Sequence, residues 1–239
     1  MINTKNNPSR CDISWKNNTT PFSNKYGDVY FSADNGLDES QYIFINSNNL
    51  YERFVTQNDF YICETGFGTG LNFAVACKLW QKLSSPDSIL FFTTFEKHPL
   101  NQKNFAQAAN SWPELTDIYS EIIPSYKGLR PGNNIITLDN LRVSLNIIIG
   151  DINDTISSLP SSSIECWFLD GFAPSLNPEM WTDTVISNIA RASTKEATFS
   201  TFTAAGNVRR SMLKHGFEVV KKPGFGKKRE MIYGKFTGS

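Results

Sequence analysis

The 239-residue sequence has no apolar run approaching the roughly 20 residues of a membrane span, and its first thirty residues lack the apolar centre of a signal peptide. A soluble, cytoplasmic protein without membrane association is expected. Cysteine is scarce: Cys11, Cys63, Cys77 and Cys166 are far apart, with no C-x-x-C pair, and only His98 and His215 are present to complete a metal site. The cysteines read as reduced thiols in or near the core, and no metal is expected. Net charge is also lacking, being formally zero, but the balance is uneven along the chain. Between Asn207 and Lys235 nine basic residues face two acidic ones, leaving fourteen basic against twenty-one acidic elsewhere. A positive segment on a neutral protein suits a polyanionic partner, although a solvated lysine-rich surface has the same composition.

What is present is enough apolar material for one large core, at 40% hydrophobic and 13% aromatic residues. Residues 1–27 are rich in Asn, Ser, Thr and Lys and read as a flexible arm. The stretch DVYFSADNGLDESQYIFIN, from Asp28, has two β-prone runs around a Gly-containing loop and predicts an N-terminal β-hairpin. Strands and helices then alternate. Phe60 to Thr65 leads into a helix with Leu71, Ala74, Val75 and Leu79 on one face, and SILFFTTFE leads into a helix near 100–109. CWFLD precedes a helix near 178–191, and ATFSTF one near 204–215. This order predicts an α/β fold with a mainly parallel, Rossmann-like sheet. The connection from FEVVKK to REMIYGKF is too short for a crossover helix, so the last strand should be antiparallel. One domain over 28–236 is expected.

In YICETGFGTGLNF, Gly66, Gly68 and Gly70 follow the first core strand directly. Open α/β sheets bind ligands beyond the carboxyl ends of their strands, where a glycine loop lets the backbone touch a nucleoside-like molecule. A structural tight turn would use the same residues, and Leu71 at the sixth position breaks the dinucleotide fingerprint G-x-G-x-x-G. Acids recur at strand ends: Glu64, Glu96, Asp151 and Asp170. Glu96 offers two acceptor oxygens to ribose hydroxyls, Asp151 an acceptor for an adenine amino group, and Glu64 with Asn72 an environment for the ammonium of a cofactor such as S-adenosylmethionine. Singly, each acid is equally readable as a helix cap or a solvated loop residue. Trp112, Trp167 and Trp181 read as core.

At these residues the chain resembles class I S-adenosylmethionine-dependent methyltransferases. More closely, DVYFSADNGLDES, ETGFGTGLNF, FEKHPL, GDI, WFLDGFAPSLNPEMW, FSTFTAAGNVRR and GFGKKREM resemble, in order and spacing, the MnmC methyltransferase-domain family of transfer-RNA wobble-uridine modification. The resemblance implies S-adenosyl-L-methionine as cofactor and methylation of the aminomethyl nitrogen of 5-aminomethyl-2-thiouridine. It places Glu64, Gly66, Gly68, Glu96, Asp151 and Asp170 at cofactor or catalytic positions, with Tyr30 covering the cofactor. The Pro-Gly-Gly turn that many class I enzymes carry before the fifth strand is replaced by RASTKEATF. Bifunctional family members add an FAD-dependent oxidoreductase domain that makes the amine. No such domain, and no FAD, is expected in this chain, so an oxidoreductase domain or protein is an expected partner.

Asp170, in DGFAP, is the expected catalytic residue, holding the amine on the methyl–sulfur axis. Phe172 reads either as a ring for stacking on uracil or as a buried anchor. Arg209, Arg210, Lys227, Lys228 and Arg229 are expected to face phosphates of the tRNA anticodon loop. Rival readings are a methyltransferase for another nitrogen acceptor, a nicotinamide-dependent oxidoreductase and a non-catalytic RNA-binding module.

Overall fold

The computed structural model describes residues 11–32, 35–226 and 228–238. A small antiparallel sheet comes first, formed by β1 (Ile13–Lys16), β2 (Thr20–Ser23) and β3 (Asp28–Val29) in that order. A helical segment follows: α1 (Gly36–Ser40), a wide helical turn over Gln41–Asn46, and α2 (Leu50–Thr56). The core then alternates through β4 (Phe60–Glu64), α3 (Leu71–Leu83), β5 (Leu90–Glu96), α4 (Gln102–Ala109), α5 (Thr116–Tyr126), β6 (Gly132–Leu138) and β7 (Val143–Ile149). It continues with α6 (Ile152–Thr155), β8 (Ile164–Phe168), α7 (Asp183–Ala192), β9 (Ser193–Thr201), α8 (Gly206–Lys214), β10 (Phe217–Pro223) and β11 (Glu230–Phe236).

The large sheet has eight strands in the order β10-β11-β9-β8-β4-β5-β7-β6. Strands β9, β8, β4, β5 and β7 are parallel. The last strand, β11, inserts antiparallel between β9 and β10, as its short connection requires, and β6 pairs antiparallel with β7 at the far edge. From β4 the chain steps outward to β5 and β7, then returns to lay β8 on the other side of β4. The reversal opens a crevice at the carboxyl ends of β4 and β8.

Side-chain alternation divides the core between the two sheet faces. Ile62 and Cys166 face α1–α5, with Phe54, Phe73, Trp80, Phe105 and Tyr126, while their neighbours Cys63 and Trp167 face α7 and α8, with Val185, Ile189, Val208 and Met212. Burial on both faces explains why the central strands read as continuous apolar runs. Cys63, Cys77 and Cys166 are buried free thiols and Cys11 is half-buried. Trp112, Trp167 and Trp181 are buried, as expected of core residues.

Two N-terminal expectations need correction. The hairpin exists, but at residues 13–23. The second β-prone run, Gln41–Asn46, is helical, because the winding buries Ile43, Phe44 and Ile45 together. Tertiary packing overrides the strand preference of Tyr-Ile-Phe-Ile. The loose arm expected over 1–27 does not hold for 11–27: Thr20 and Ser23 are buried, and Trp15 packs against the core. Residues 1–10 lie outside the described part.

Asn48 ties the helical segment to the sheet. Its Nδ2 donates to Phe44 O at 2.9 Å and to Ser200 Oγ of β9 at 2.7 Å, with no solvent exposure. Replacing it by alanine strands two acceptors in dry surroundings, so Asn48→Ala should cost about 1–3 kcal/mol in urea unfolding. A loss within about 0.5 kcal/mol, the range of ordinary surface substitutions, would show that the tie is dispensable.

Candidate active site

A cavity of about 420 Å³ lies over the carboxyl ends of β4, β5, β7 and β8. Its walls come from the strand-end loops at 65–69, 95–98, 150–152 and 170–173, from the 36–44 helical segment, from residues 26–32 and from Lys228. Its size suits a nucleoside-sized ligand.

The three loop glycines have different roles. Gly66 and Gly68 line the cavity. Gly68 has φ +52°, and a Cβ there would come within 3.2 Å of the Tyr30 ring, so its bare backbone lets Tyr30 cross the loop. Gly70 does not line the cavity. It starts α3 at φ +71°, where a Cβ would meet Phe67 Cζ at 3.0 Å and the Phe105 ring at 3.4 Å. Its missing side chain makes room for core rings.

At the cavity floor, one amide joins two carboxylates. Asn72, in the first turn of α3, donates from Nδ2 to Glu64 Oε1 at 3.0 Å and to Asp170 Oδ2 at 2.6 Å, while its Oδ1 accepts from Ser40 Oγ at 2.7 Å. Thr94 Oγ1 donates to the other Glu64 oxygen at 2.9 Å. Glu64 is 1% exposed and lies behind the lining. It meets the cavity through Asn72, which lines it. Burial, then the Asp170 charge, pushes its pKa well above the usual carboxylate range. Asp170 does line the cavity. Burial pushes its pKa up to about 6, against the opposing pull of the Gly171 N–H at 2.8 Å, the Asn72 amide and the Lys228 charge.

Glu96 ends β5 and lines the cavity. Its carboxylate accepts from Gly68 N at 2.9 Å and His98 N at 2.7 Å, one on each oxygen, which fixes its plane and leaves further lone pairs on both. Burial raises its pKa. Asp151 lines the cavity too, but as the N-cap of α6, with Oδ1 accepting from Asn153 N at 2.9 Å. Its Oδ2 meets Lys97 Nζ at 2.5 Å, and Lys97 also reaches Glu179 at 3.2 Å. Burial alone would raise the Asp151 pKa, but Lys97 and Asn153 bring it down to about 2. Both the cap and the ligand-facing readings of Asp151 therefore have structural support, and Lys97 is a cavity residue that sequence reasoning missed.

Phe172 is neither a free platform nor a deep anchor. It is half-buried in the wall, stacked on Tyr26 with centroids 4.5 Å apart and met edge-on by Tyr30 at 5.3 Å. The Tyr30 hydroxyl is 2.6 Å from Cys11 Sγ, which leaves its ring against Gly68 and Phe172.

The basic segment departs from expectation. Lys228 lines the cavity while staying exposed, 2.7 Å from Glu39 Oε1 and 4.7 Å above the Phe202 ring. Lys214, Lys221 and Lys235 pair with Asp183, Glu230 and Glu196, partly neutralising the local field. Arg209 and Arg210 sit on α8, outside the lining, Arg229 is exposed, and Lys227 lies outside the described residues. Among the described residues there is no His/Cys/Asp/Glu cluster able to hold a metal, and no helix long and apolar enough to cross a membrane.

Residues 113–237 match a family described as S-adenosyl-L-methionine-dependent methyltransferase. The chain belongs to that family. Over 94% of its length it is 43% identical to the tRNA 5-methylaminomethyl-2-thiouridine biosynthesis bifunctional protein MnmC of Leptospira borgpetersenii serovar Hardjo-bovis. Over 96% it is 42% identical to the protein of the same name from Methylobacillus flagellatus. The chain spans 35% of the length of each of these curated relatives. Its fold matches the crystal structure of MnmC2 from Aquifex aeolicus with a TM-score of 0.74, at 23% identity, covering 97% of this chain and 71% of that one.

The methyltransferase cavity fits its cofactor on the features described: a loop whose backbone is bare at Gly66 and Gly68, and a carboxylate, Glu96, held flat with acceptor capacity to spare. Glu96→Gln replaces one acceptor by a donor that would face a backbone N–H. It should weaken S-adenosylmethionine binding about tenfold to a hundredfold, at about 1.5–3 kcal/mol for a charged hydrogen bond. Unchanged affinity by calorimetry would remove Glu96 from the binding site.

Proposed function

We propose that the protein transfers a methyl group from S-adenosyl-L-methionine to the aminomethyl nitrogen of 5-aminomethyl-2-thiouridine at the wobble position of tRNA, giving the 5-methylaminomethyl product. The observation that carries this reading is Asp170: a desolvated carboxylate on the cavity wall, fixed on both oxygens by Gly171 N and Asn72 Nδ2. It is joined by the identity to MnmC proteins over nearly the whole chain.

The bound cofactor supplies an electrophilic methyl group on a sulfonium. Glu96 would accept hydrogen bonds from its ribose and Asp151 from its adenine end. Asn72, backed by Glu64, would stand near its charged amino-acid end. Gly66 and Gly68 would give it close approach to the loop, and Tyr30 would cover it. Asp170 would accept a hydrogen bond from the acceptor amine and orient its nitrogen. An alkyl amine, with a pKa of about 10.4 by analogy with lysine, must shed a proton before its lone pair is available. Asp170 receives that proton or passes it to water. Holding the nitrogen in line is worth about 7–11 kcal/mol where alignment is complete.

Phe172 contributes to an aromatic wall against which the uracil ring can lie, and Arg209, Arg210 and Arg229, outside the cavity lining, would contact the anticodon-loop backbone together with Lys227. The wobble base is single-stranded in its loop, so presenting it costs little unpairing. An FAD-dependent oxidoreductase, in the same protein or a separate one, would supply the amine. The proposed setting is cytoplasmic.

Nucleoside mass spectrometry of amine-bearing tRNA incubated with cofactor should show a gain of one methyl on the aminomethyl uridine. The gain should be largely lost in Asp170→Ala, while cofactor affinity falls less. No gain with the wild-type protein would defeat the proposal.

Because catalysis needs ionised Asp170, kcat/KM should fall on the acid side with a midpoint of about 6, dropping about tenfold per pH unit below it. The sign follows from the raised pKa: at a pH where an ordinary aspartate is fully ionised, Asp170 already carries a proton. A midpoint near 4 would mean that Asp170 is solvated in the working enzyme or is not the titrating group.

A further inference from the structure

The N-terminal sheet brings side chains to the cavity that the strand-and-helix core does not provide. Tyr26, in the turn between β2 and β3, forms with Phe172 and Tyr30 one aromatic wall, and all three line the cavity. Next to it, the exposed Lys25 extends along the Tyr26 ring, its Nζ 5.1 Å from the centroid and 2.8 Å from His98 Nε2. An ammonium only donates, so His98 Nε2 accepts, and Lys25 keeps two more protons to offer. His98 itself lines the cavity, just past Glu96. The stacked Tyr26–Phe172 pair, whose Phe172 is two residues from Asp170, thus carries a cation over its Tyr26 end at the cavity edge.

We infer that the Lys25–Tyr26 turn is the acceptor-nucleotide subsite: the target base lies against the Tyr26–Phe172 wall, and Lys25, positioned by His98, binds that nucleotide's phosphate. This inference rests on the proposed methylation of tRNA and adds the residues that recognise the acceptor. The chemistry requires such a pair. A pyrimidine carrying its amine on one carbon must lie flat to bring nitrogen to Asp170, and its own backbone phosphate follows it to the rim. Ring stacking holds any base without reading its edges, while a lysine acts on phosphate as a point charge. The C-terminal basic segment is less suited to this task, because Lys228 is engaged with Glu39 and three of its lysines pair with surface acids.

The test is steady-state kinetics with an anticodon stem-loop RNA bearing 5-aminomethyl-2-thiouridine, alongside calorimetry with S-adenosylmethionine. Tyr26→Ala should raise the acceptor KM about tenfold to a hundredfold, with a smaller change in kcat and unchanged cofactor affinity, and Tyr26→Phe should recover most of the loss. Lys25→Ala, on an exposed residue, should raise KM and reduce the slope of log affinity against log salt by about one. If Tyr26→Ala also loses cofactor binding, its fold is damaged and the Lys25→Ala result decides. Wild-type KM and salt slope in Lys25→Ala, or wild-type KM in a cofactor-binding Tyr26→Ala, overturn the inference while leaving the proposed function standing. A wild-type protein that methylates no tRNA overturns both.

Discussion

A single amide nitrogen, Asn72 Nδ2, stands between two carboxylates in dry surroundings, and the working end of the sheet is organised around it. Parallel pairing makes the arrangement unavoidable. Glu64 ends β4 in register with Phe168 of β8, so the residue two places beyond Phe168, Asp170, emerges beside it. Burial raises the proton affinity of both acids, and the Asp170 charge adds to the effect on Glu64. Asn72 answers both with donors, and Thr94 adds another to Glu64. The amide must come from the first turn of α3, which fixes where that helix begins and hence the path of the glycine loop. Gly70 permits that path by leaving room for Phe67 and Phe105.

The walls of the cavity have a different origin from its floor. The floor is made by strand ends, the part that any sheet of this order supplies. The aromatic and cationic walls come from segments attached around the sheet: the β1–β3 sheet with Tyr26 and Tyr30, the helical stretch with Glu39 and Ser40, and the tip of the β10–β11 hairpin with Lys228. That tip is anchored to the helical stretch by the Tyr42 hydroxyl on Pro223 O and by Lys222 over the Tyr42 ring. The cavity is thus shared between the strand-end scaffold and its attachments.

What was legible in the sequence follows the same division. Strand-and-helix alternation located β4, β5, β8 and β9, and the crevice rule then placed Glu96, Asp151 and Asp170 at one rim. The attachments were legible only in part: the antiparallel β10–β11 pair was expected, whereas the ordering of 11–27 and the helical winding of 41–46 were not. Residues 11–27 are polar and show no period, and their order comes from ladder hydrogen bonds and from Trp15 packing on a core distant in sequence. Gln41–Asn46 has strand-like composition but is wound by burial of three consecutive apolar side chains. A glycine that lines a cavity and one buried against core rings look alike in sequence, which is why Gly70 was grouped with Gly66 and Gly68. Lysine sequence likewise does not distinguish a phosphate-facing cation from Lys228, whose direction depends on Glu39, nearly 190 residues away in the chain.

The proton problem of the proposed reaction turns on the same desolvation. An ordinary aspartate, at a pKa of about 3.9, is separated from an alkyl ammonium at about 10.4 by more than six orders of magnitude in proton affinity. Raised to about 6, Asp170 narrows that gap roughly a hundredfold. Burial that raises a carboxylate lowers an amine, so the acceptor's pKa falls as it enters the same dry space. Lys228, whose charge already reaches Asp170, repels the ammonium form further. Attraction between carboxylate and ammonium acts in the opposite sense and holds the charged amine in place until the proton leaves. Orientation and deprotonation therefore compete at one carboxylate. Tethering both its oxygens, one to Gly171 N and one to Asn72, restrains it from following the charge it attracts.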